Sequence, residues 1–359
     1  MSIKDSILSQ SNQFNYYKEK TEKLKKENKK IKQENKKIKQ ENKQMKEDLK
    51  NSDQYEDGIS VIIPTYKGEN HIQPLLESLE KQTLDPNKYE LIFIINGELD
   101  STINILKDFA EKNEEKNIII SYTPISGASY ARNIGLRLVK KFYTGFIDDD
   151  DFVSPKYLER LYEHSQPNRV VMSNFIDIDE NTGEEIESFL VPYSVKEHGI
   201  IKGAPVRFAD LAVITQAKSM PSYATKSVEF NTNLRNGVDV SYYGRLYPKF
   251  DFEFYFIDKK EEAIYYRIIR SGSISRPKMS FKFNVVERLK VIGDLNESYK
   301  NTSSKKYRKY LKLCSGGQTR FMNRYLDQHP EDEERVLEEI KKHDYEIFPY
   351  EVLDERKKE

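Results

Sequence analysis

The fold of this chain is best recognised from the stretch FYTGFIDDDD, residues 142–151, in which an apolar run ends in four aspartates. The first six residues are typical of a strand that is buried on both faces. Similar short runs precede it and alternate with segments of helical spacing. These runs are Ile59–Ile63, Leu91–Ile95 and Ile118–Ile120. Continuous apolar strands that alternate with helices predict an α/β fold with a mostly parallel sheet flanked by helices.

Polar side chains follow the ends of these strands, which is where ligands bind in open parallel sheets. Pro64-Thr65-Tyr66 follows the first strand, and Asn96-Gly97 follows the second. The aspartates Asp148–Asp151 follow the fourth. Because neighbouring carboxylates repel one another, this cluster predicts a bound cation. A hard divalent ion that also binds a diphosphate fits it best.

A glycine and an arginine open the helix before the fourth strand, in the segment Ser126–Gly135. Gly127 permits a close approach of the backbone to a ligand. The guanidinium of Arg132 can bind a phosphate or pair with the aspartates. Taken alone, these motifs are more typical of a turn, a salt-bridged surface arginine and a solvated acidic loop or helix cap.

Together, four segments resemble family 2 glycosyltransferases of the GT-A fold, in the same order and at the expected spacings. The segments are Val61–Tyr66 with Glu69, Ser78–Thr83, Gly127–Gly135 and Phe146–Asp151. The resemblance, over residues 59–275, implies a Rossmann-like mixed sheet flanked by helices. It also implies an inverting hexosyl- or N-acetylhexosaminyl-transferase that uses a UDP-sugar and Mn²⁺ or Mg²⁺. Enzymes of this type build bacterial surface polysaccharide, teichoic acid or glycoprotein.

The resemblance further implies roles for individual residues. Those implied to bind the nucleotide-sugar are Pro64, Thr65, Tyr66, Glu69, Asn96, Arg132, Asp148, Asp149, Arg270, Ser273 and Ser275. Among them, Asp148 would contact the ribose. Asp150 would bind the metal, with Asp151 as its rival if the pattern is shifted by one residue. Asn96 stands where the family has a base-reading aspartate, which leaves the base of the donor open.

The catalytic base implied by the resemblance is Asp239, in the segment Asn236–Tyr243, which is similar to a Gly-Glu-Asp segment of the family. It would take the proton of the acceptor hydroxyl. Val238 occupies the position of the family's glutamate and cannot ionise. Val238 and Asn96 therefore keep a second hypothesis open, a catalytically degenerate scaffold or binding protein of the same fold. A nucleotidyltransferase would need a glycine-rich phosphate loop, which Pro64–Gly68 does not supply.

A seven-residue repeat occupies the N-terminal segment, residues 1–50, ahead of a polar linker at 51–58. Its apolar core positions are Leu24, Ile31, Ile38 and Met45, and three asparagines occupy the other core position. Glutamates and lysines flank these positions in complementary register, as in parallel coiled coils. Residues 18–50 carry 14 lysines, six glutamates and one aspartate, although the whole chain is neutral. We expect a parallel homo-oligomer, a dimer, trimer or tetramer.

The C-terminal region, residues 278–359, is predicted to form helices that pack on the transferase domain at 59–277. Phe281, Val285, Leu289 and Ile292 have helical spacing. A later helix pair is predicted to break near Gly316-Gly317, since glycine disfavours a helix interior. Its aromatic residues belong to the core or line an acceptor groove.

Composition excludes several classes of protein. The single cysteine, Cys314, rules out an intramolecular disulfide, and the five histidines lack metal-ligand spacing. No apolar run reaches the ~18 residues of a membrane span, and Met1–Asp5 does not begin a signal peptide. Zero net charge argues against a nucleic-acid partner. We expect a cytoplasmic protein, at most peripherally bound to the inner face of the plasma membrane, with a glycan, polyol-phosphate or glycoprotein acceptor.

Overall fold

The structure, a computed structural model, describes residues 54–186, 199–270 and 278–347. The predicted coiled coil at 1–50 lies outside these ranges, as do two predicted ligands, Ser273 and Ser275. The described ranges form an α/β architecture with one large and one small sheet.

Strands and helices alternate through the first half of the described chain. The strands are β1 Glu56–Thr65, β2 Tyr89–Asn96, β3 Asn117–Thr123, β4 Lys141–Phe146, β5 Phe152–Val153, β6 Arg169–Met172, β7 Asn174–Asp179, β8 Glu185–Ile186, β9 Gly199–Lys202, β10 Lys218–Pro221, β11 Glu253–Phe256 and β12 Ile264–Ile269. The α-helices are α1 Gln73–Glu80, α2 Thr102–Lys112, α3 Ala128–Leu138, α4 Tyr157–His164, α5 Ala209–Ala212, α6 Ser222–Thr225, α7 Val238–Leu246, α8 Glu287–Asn301, α9 Lys305–Gln328 and α10 Glu333–Lys341.

The large sheet has eight strands in the order β3-β2-β1-β4-β10-β6-β11-β9. The first four are parallel, whereas β10 runs antiparallel to both β4 and β6. The prediction of a parallel sheet is therefore confirmed for the first four strands, and the sheet as a whole is mixed. Val61 of β1 lies between Leu91 and Gly145 of its neighbours. Residues of β1 and β2 are buried in nearly every position because the sheet is covered on both faces.

Strand β1 begins at Glu56, inside the segment predicted as a linker at 51–58. The N–H of Glu56 donates to the carbonyl of Lys140 at 2.9 Å, and its carboxylate pairs with Nζ of Lys141 at 2.9 Å. The polar composition of this segment concealed the strand, because these side chains are satisfied by partners far along the chain.

Helix α3 packs directly on β1 at Gly135. A Cβ built on Gly135 would lie 2.4 Å from Cγ2 of Ile62, so only glycine permits this approach. The contact fixes the first turns of α3, which carry Arg132, at the carboxyl edge of the parallel strands.

The small sheet has the order β5-β12-β7-β8. Strand β5 follows the four aspartates directly, and it pairs antiparallel with β12 through Val153 and Tyr265. The sequence analysis did not predict this pairing. This pairing anchors the end of the acidic segment.

The C-terminal helices share their cores with the rest of the described chain. Tyr310 and Leu311 of α9 join the main core, and Met322 and Leu326 join a second, smaller one. Helix α9 runs through Gly316-Gly317 without a break, so the predicted break is wrong. Burial on both sides of the glycine pair outweighs the ~1 kcal/mol that each glycine costs a helix. None of the helices in the described ranges is both long and apolar enough to span a bilayer.

Candidate active site

Acidic side chains gather where β4 ends, at the carboxyl edge of the parallel strands. One carboxylate oxygen from each of Asp148, Asp150 and Asp151 lies within 4.8 Å of the others. Asp148 and Asp150 are partly exposed, whereas Asp151 is buried. Such clustered oxygen ligands suit a hard divalent cation such as Mg²⁺ or Mn²⁺.

Asp151 is held by β12. One of its oxygens accepts a hydrogen bond from the Tyr265 hydroxyl at 2.6 Å, and the other accepts from the N–H of Ile268 at 2.8 Å. The Tyr265 oxygen in turn accepts from the N–H of Asp148 at 3.1 Å. Burial, with the charges of Asp150 and Asp148, raises the pKa of Asp151 well above its usual range. Asp151 is buried and Asp150 is partly exposed, which favours Asp150 as the ligand of an external cation.

Asp150 faces Arg270 across the site. Nη1 of Arg270 lies 3.6 Å from Oδ2 of Asp150, and its Nε lies 3.1 Å from Oε1 of Glu180. Burial and the charges of Asp148 and Asp149 raise the pKa of Asp150 to about 6. The pKa of Asp150 rises because its negative charge is buried close to other negative charges. A bound cation would reduce this repulsion.

Arg132 connects two site residues that are remote in sequence. Its guanidinium is 6% exposed, with Nη2 at 2.9 Å from Oδ1 of Asp148 and Nη1 at 3.6 Å from Oδ1 of Asp239. The side-chain amide of Gln216 donates to the other oxygen of Asp148. The structure therefore brings together the predicted ribose ligand, the predicted base and the predicted arginine. Gln216 was not predicted, because nothing in its local sequence marks it.

Asp239 lies in the first turn of α7, which starts after Gly237 in the left-handed conformation with φ 67°. Burial raises the pKa of Asp239, and the positive charges of Arg132 and Lys218 oppose that rise. Lys218 is itself buried on β10, with Nζ at 4.1 Å from the ring centroid of Tyr243, one turn after Asp239. The sequence analysis missed this lysine, since only the packing of β10 against α7 places it near the base.

Asp149 makes a polar contact with the loop after β1. Its Oδ2 accepts from the N–H of Tyr66 at 3.1 Å and lies 3.3 Å from Nε2 of His71. The bond to Asp149 raises the pKa of His71. The Tyr66 ring is 42% exposed and rests against Gly97, where a Cβ would lie 2.9 Å from the ring. The sequence analysis did not predict that His71 contacts the site, because its partner is distant in sequence.

Asn96 joins the ends of two strands to the start of α3. Its Nδ2 donates to the carbonyl of Thr65 at 2.8 Å, and its Oδ1 accepts from the N–H of Gly127 at 2.8 Å. The side chain is only 2% exposed. Asn96 therefore positions the backbone of the site, which differs from the implied contact with the nucleotide.

Other residues predicted to bind the nucleotide also serve the fold. The carboxylate of Glu69 accepts from the N–H and the hydroxyl of Ser101, at 3.2 and 2.7 Å. Pro64 and Thr65 are buried in β1. Of the predicted residues at this strand end, Tyr66 presents an exposed side chain.

Comparison with known proteins finds similar sequences and similar solved structures. Residues 60–216 match the family model described as Glycosyl transferase family 2. Poly(ribitol-phosphate) beta-glucosyltransferase of Bacillus spizizenii is 32% identical over 111 residues, 31% of this chain and 18% of that protein. Poly(ribitol-phosphate) beta-N-acetylglucosaminyltransferase TarP of Staphylococcus aureus is 29% identical over 156 residues, 41% of this chain and 43% of that protein. The chain thus matches less than half the length of either relative.

Among solved structures, the crystal structure of S. aureus TarS 1–349 in complex with UDP-GlcNAc superposes with a TM-score of 0.57. The match covers 75% of this chain and 73% of that one, at 19% sequence identity. The likeness confirms the predicted α/β fold with its mixed sheet.

Proposed function

Since residues 60–216 form a glycosyl transferase family 2 domain, we propose that the protein transfers a sugar from a UDP-sugar to an acceptor hydroxyl in cell-surface glycan synthesis. The observation that carries the proposal is the placement of Asp148 and Asp239 on the two sides of Arg132. This arrangement sets a candidate donor-binding carboxylate and a candidate base on either side of one guanidinium. The relatives named above act on poly(ribitol-phosphate), which makes a polyol-phosphate polymer the acceptor we favour.

The donor would bind along the carboxyl ends of β1, β2 and β4. The exposed ring of Tyr66 offers a face on which a nucleobase can stack. The partly exposed carboxylate of Asp148 is held by Arg132 and Gln216, so it is oriented for the hydroxyls of a ribose. Arg270 lies beside Asp150 and can pair with a diphosphate.

A divalent cation fits the acidic cluster. Asp150 would hold it, because Asp150 is partly exposed, whereas both oxygens of Asp151 are bonded to β12. When bound, Mg²⁺ or Mn²⁺ would supply charge neutralisation for the leaving diphosphate. The raised pKa of Asp150 is consistent with a site that gains from a positive charge.

Asp239 would act as the general base. Its carboxylate would accept the proton of the acceptor hydroxyl while that oxygen bonds to the anomeric carbon. The bond between the anomeric carbon and the diphosphate oxygen would break in the same step, which inverts the anomeric configuration. Burial raises the pKa of Asp239, and the charge of Arg132 opposes that rise and would favour the ionised form that a base requires.

The decisive experiment combines calorimetry with a donor panel. UDP should bind the full-length protein more tightly with Mn²⁺ than without, and Asp150→Ala should remove that gain. Asp239→Asn should retain UDP binding but lose about 100-fold or more of the transfer rate. Asp108→Ala, an exposed aspartate on α2, is the matched control. Metal-independent UDP binding in every variant, with no turnover of any nucleotide-sugar, would instead identify the degenerate scaffold that Val238 suggests.

The oligomeric stalk remains a prediction from residues 1–50. Light scattering should give a multiple of the monomer mass for the full-length protein and a smaller species for a chain that begins at Gln54. A monomeric full-length protein would contradict the coiled coil.

A further inference from the structure

Helix α9 carries an exposed basic face. Its 24 residues include seven lysines and arginines and a single acidic residue, Asp327. Five exposed cations recur every three to eight residues and lie on one side of the helix: Lys305, Lys309, Lys312, Arg320 and Arg324. Between them lie Gly316 and Gly317, which leave the centre of this face free of bulky side chains.

This arrangement opposes the stability of the helix. Lys305 and its neighbour Lys306 directly follow the N-cap Ser304, at the positive end of the helix dipole, where acidic residues are favoured. Lys305 and Lys309 are one turn apart, as are Arg320 and Arg324, so like charges repel at both ends. Within residues 54–186, 199–270 and 278–347, no carboxylate forms an ion pair with Lys305, Lys309 or Arg320. A face that repels itself and lacks internal partners fits an external anion.

The basic face extends beyond α9. A Cβ built on Gly203 would lie 3.5 Å from Nζ of Lys306, which places the exposed Lys202 of β9 next to the start of the helix. Toward its middle, α9 reaches the loop before the candidate base. A Cβ built on Gly237 would lie 3.3 Å from Oε1 of Gln318. One helix therefore carries the basic face and supports the segment that opens α7.

The burial of most apolar residues of α9 favours a polymeric anion over a lipid surface into which the helix would insert. A helix that lies on a membrane needs an exposed apolar face, yet the apolar residues of α9 are buried in the two cores. Leu313, 44% exposed, is the exception among the large apolar residues of the helix. With a rise of ~1.5 Å per residue the face, from Lys305 to Arg324, is roughly 29 Å long, which spans several repeats of a phosphodiester chain.

We propose that the basic face of α9 binds the phosphates of a polyol-phosphate polymer and holds the acceptor near the site. The choice of polymer rests on the proposed function, whereas the existence of an anion-binding face does not. Such contacts hold a chain by its charge and leave its hydroxyls free to reach the base.

The test measures binding of a synthetic ribitol-phosphate oligomer to the full-length protein over a series of salt concentrations. The variant replaces three cations of the face, Lys305→Gln, Lys309→Gln and Arg320→Gln. The matched control replaces three exposed lysines elsewhere: Lys81→Gln, Lys107→Gln and Lys112→Gln. The lysines of residues 18–50 are present in every protein, so their contribution cancels. UDP binding is measured alongside as a check of the fold and of the donor site.

We expect the face variant to bind the oligomer about tenfold or more weakly at moderate salt, with the salt slope reduced by up to about three. The control and the UDP affinity should be unchanged. Equal affinity of face variant and control overturns the proposal. So does a loss of binding to phosphatidylglycerol vesicles or to a single-stranded oligonucleotide, from wild type to face variant, that equals or exceeds the loss for the oligomer, because it would assign the face to another polyanion. If wild type does not bind UDP, while the face variant binds the oligomer more weakly than the control does, the donor assignment alone is refuted.

Discussion

Asn96→Asp is the most informative single substitution, because it changes one donor into an acceptor with almost no change of shape. In the native protein the Nδ2 of Asn96 donates to the Thr65 carbonyl at 2.8 Å, while Oδ1 accepts from Gly127. The family that the sequence resembles has an aspartate at this position. If Asn96 read the base of the donor, the substitution would be harmless or beneficial. The structure predicts the opposite.

The expected cost follows from the contacts. An ionised aspartate leaves the buried Thr65 carbonyl without its donor and facing a negative oxygen, at about 3–4 kcal/mol. The bond from the N–H of Gly127, at the start of α3, becomes charge-assisted and offsets roughly 1 kcal/mol. We expect a net loss of about 2–3 kcal/mol in the free energy of unfolding at pH 8.

The loss should depend on pH in a defined direction. A penalty of about 2.7 kcal/mol on the ionised form corresponds to a folded-state pKa near ~6, against ~3.9 unfolded. A protonated carboxyl can donate to Thr65, so the folded state binds more protons than the unfolded state in this window. Stability relative to the native protein therefore falls as pH rises from ~4 to ~6. About half of the loss remains at pH 5.

Thermal unfolding of the full-length protein at pH 8, 6 and 4.5 measures the effect. With an unfolding entropy of ~2.1 cal/mol/K per residue over roughly 300 residues, the Tm should drop by about 3–5 °C at pH 8. Asn104→Asp, at an exposed position of α2, is the control for the added charge. A variant that melts with this control at pH 8, or whose deficit grows toward acid pH, would refute the positioning role of Asn96.

Three further predictions test the site and its support. Tyr265→Phe removes the bonds to Asp151 and to the N–H of Asp148, so it should cost about 1–3 kcal/mol in stability and weaken Mn²⁺-dependent UDP binding; unchanged values in both assays would contradict the anchoring role of β12. Mn²⁺ affinity, followed by calorimetry, should fall as pH is lowered through about 6, because protonated Asp150 cannot bind a cation; a flat profile between pH 5 and 7 would argue against Asp150 as the ligand. Gly135→Ala should destabilise by about 1–3 kcal/mol through overpacking, whereas Gly316→Ala, with nothing within 4 Å of its built Cβ, should stabilise α9 by up to ~1 kcal/mol; denaturant unfolding compares the pair.

Much of the site was predictable because ligands of parallel sheets bind where strands end. The acidic cluster after β4 and the exposed Tyr66 after β1 follow directly from apolar runs of the right length. Asn96 and Glu69, at the same strand ends, also make hydrogen bonds within the fold, so their contact with the nucleotide stays a prediction. A strand end shows that a residue is near the site, but it does not show whether its hydrogen bonds are already used.

The break predicted at Gly316-Gly317 is wrong because it was inferred from local sequence alone. Helix propensity is a local quantity of ~1 kcal/mol per glycine, and α9 is stabilised by burial in two cores on either side of that pair. The polar start of β1 was missed in the same way, since Glu56 and Lys141 satisfy each other across neighbouring strands.

The sequence by itself determined the alternation of strands and helices, the α/β class and the position of the aspartates at a strand end. These features arise from side-chain periodicity and turn chemistry, which act over a few residues. Only the tertiary structure decided that Arg132 lies between Asp148 and Asp239, that Tyr265 holds Asp151, and that Lys218 is buried near the base. Those contacts depend on how β10, β12 and α7 pack against β4, and packing brings together residues whose separation along the chain gives no local signal.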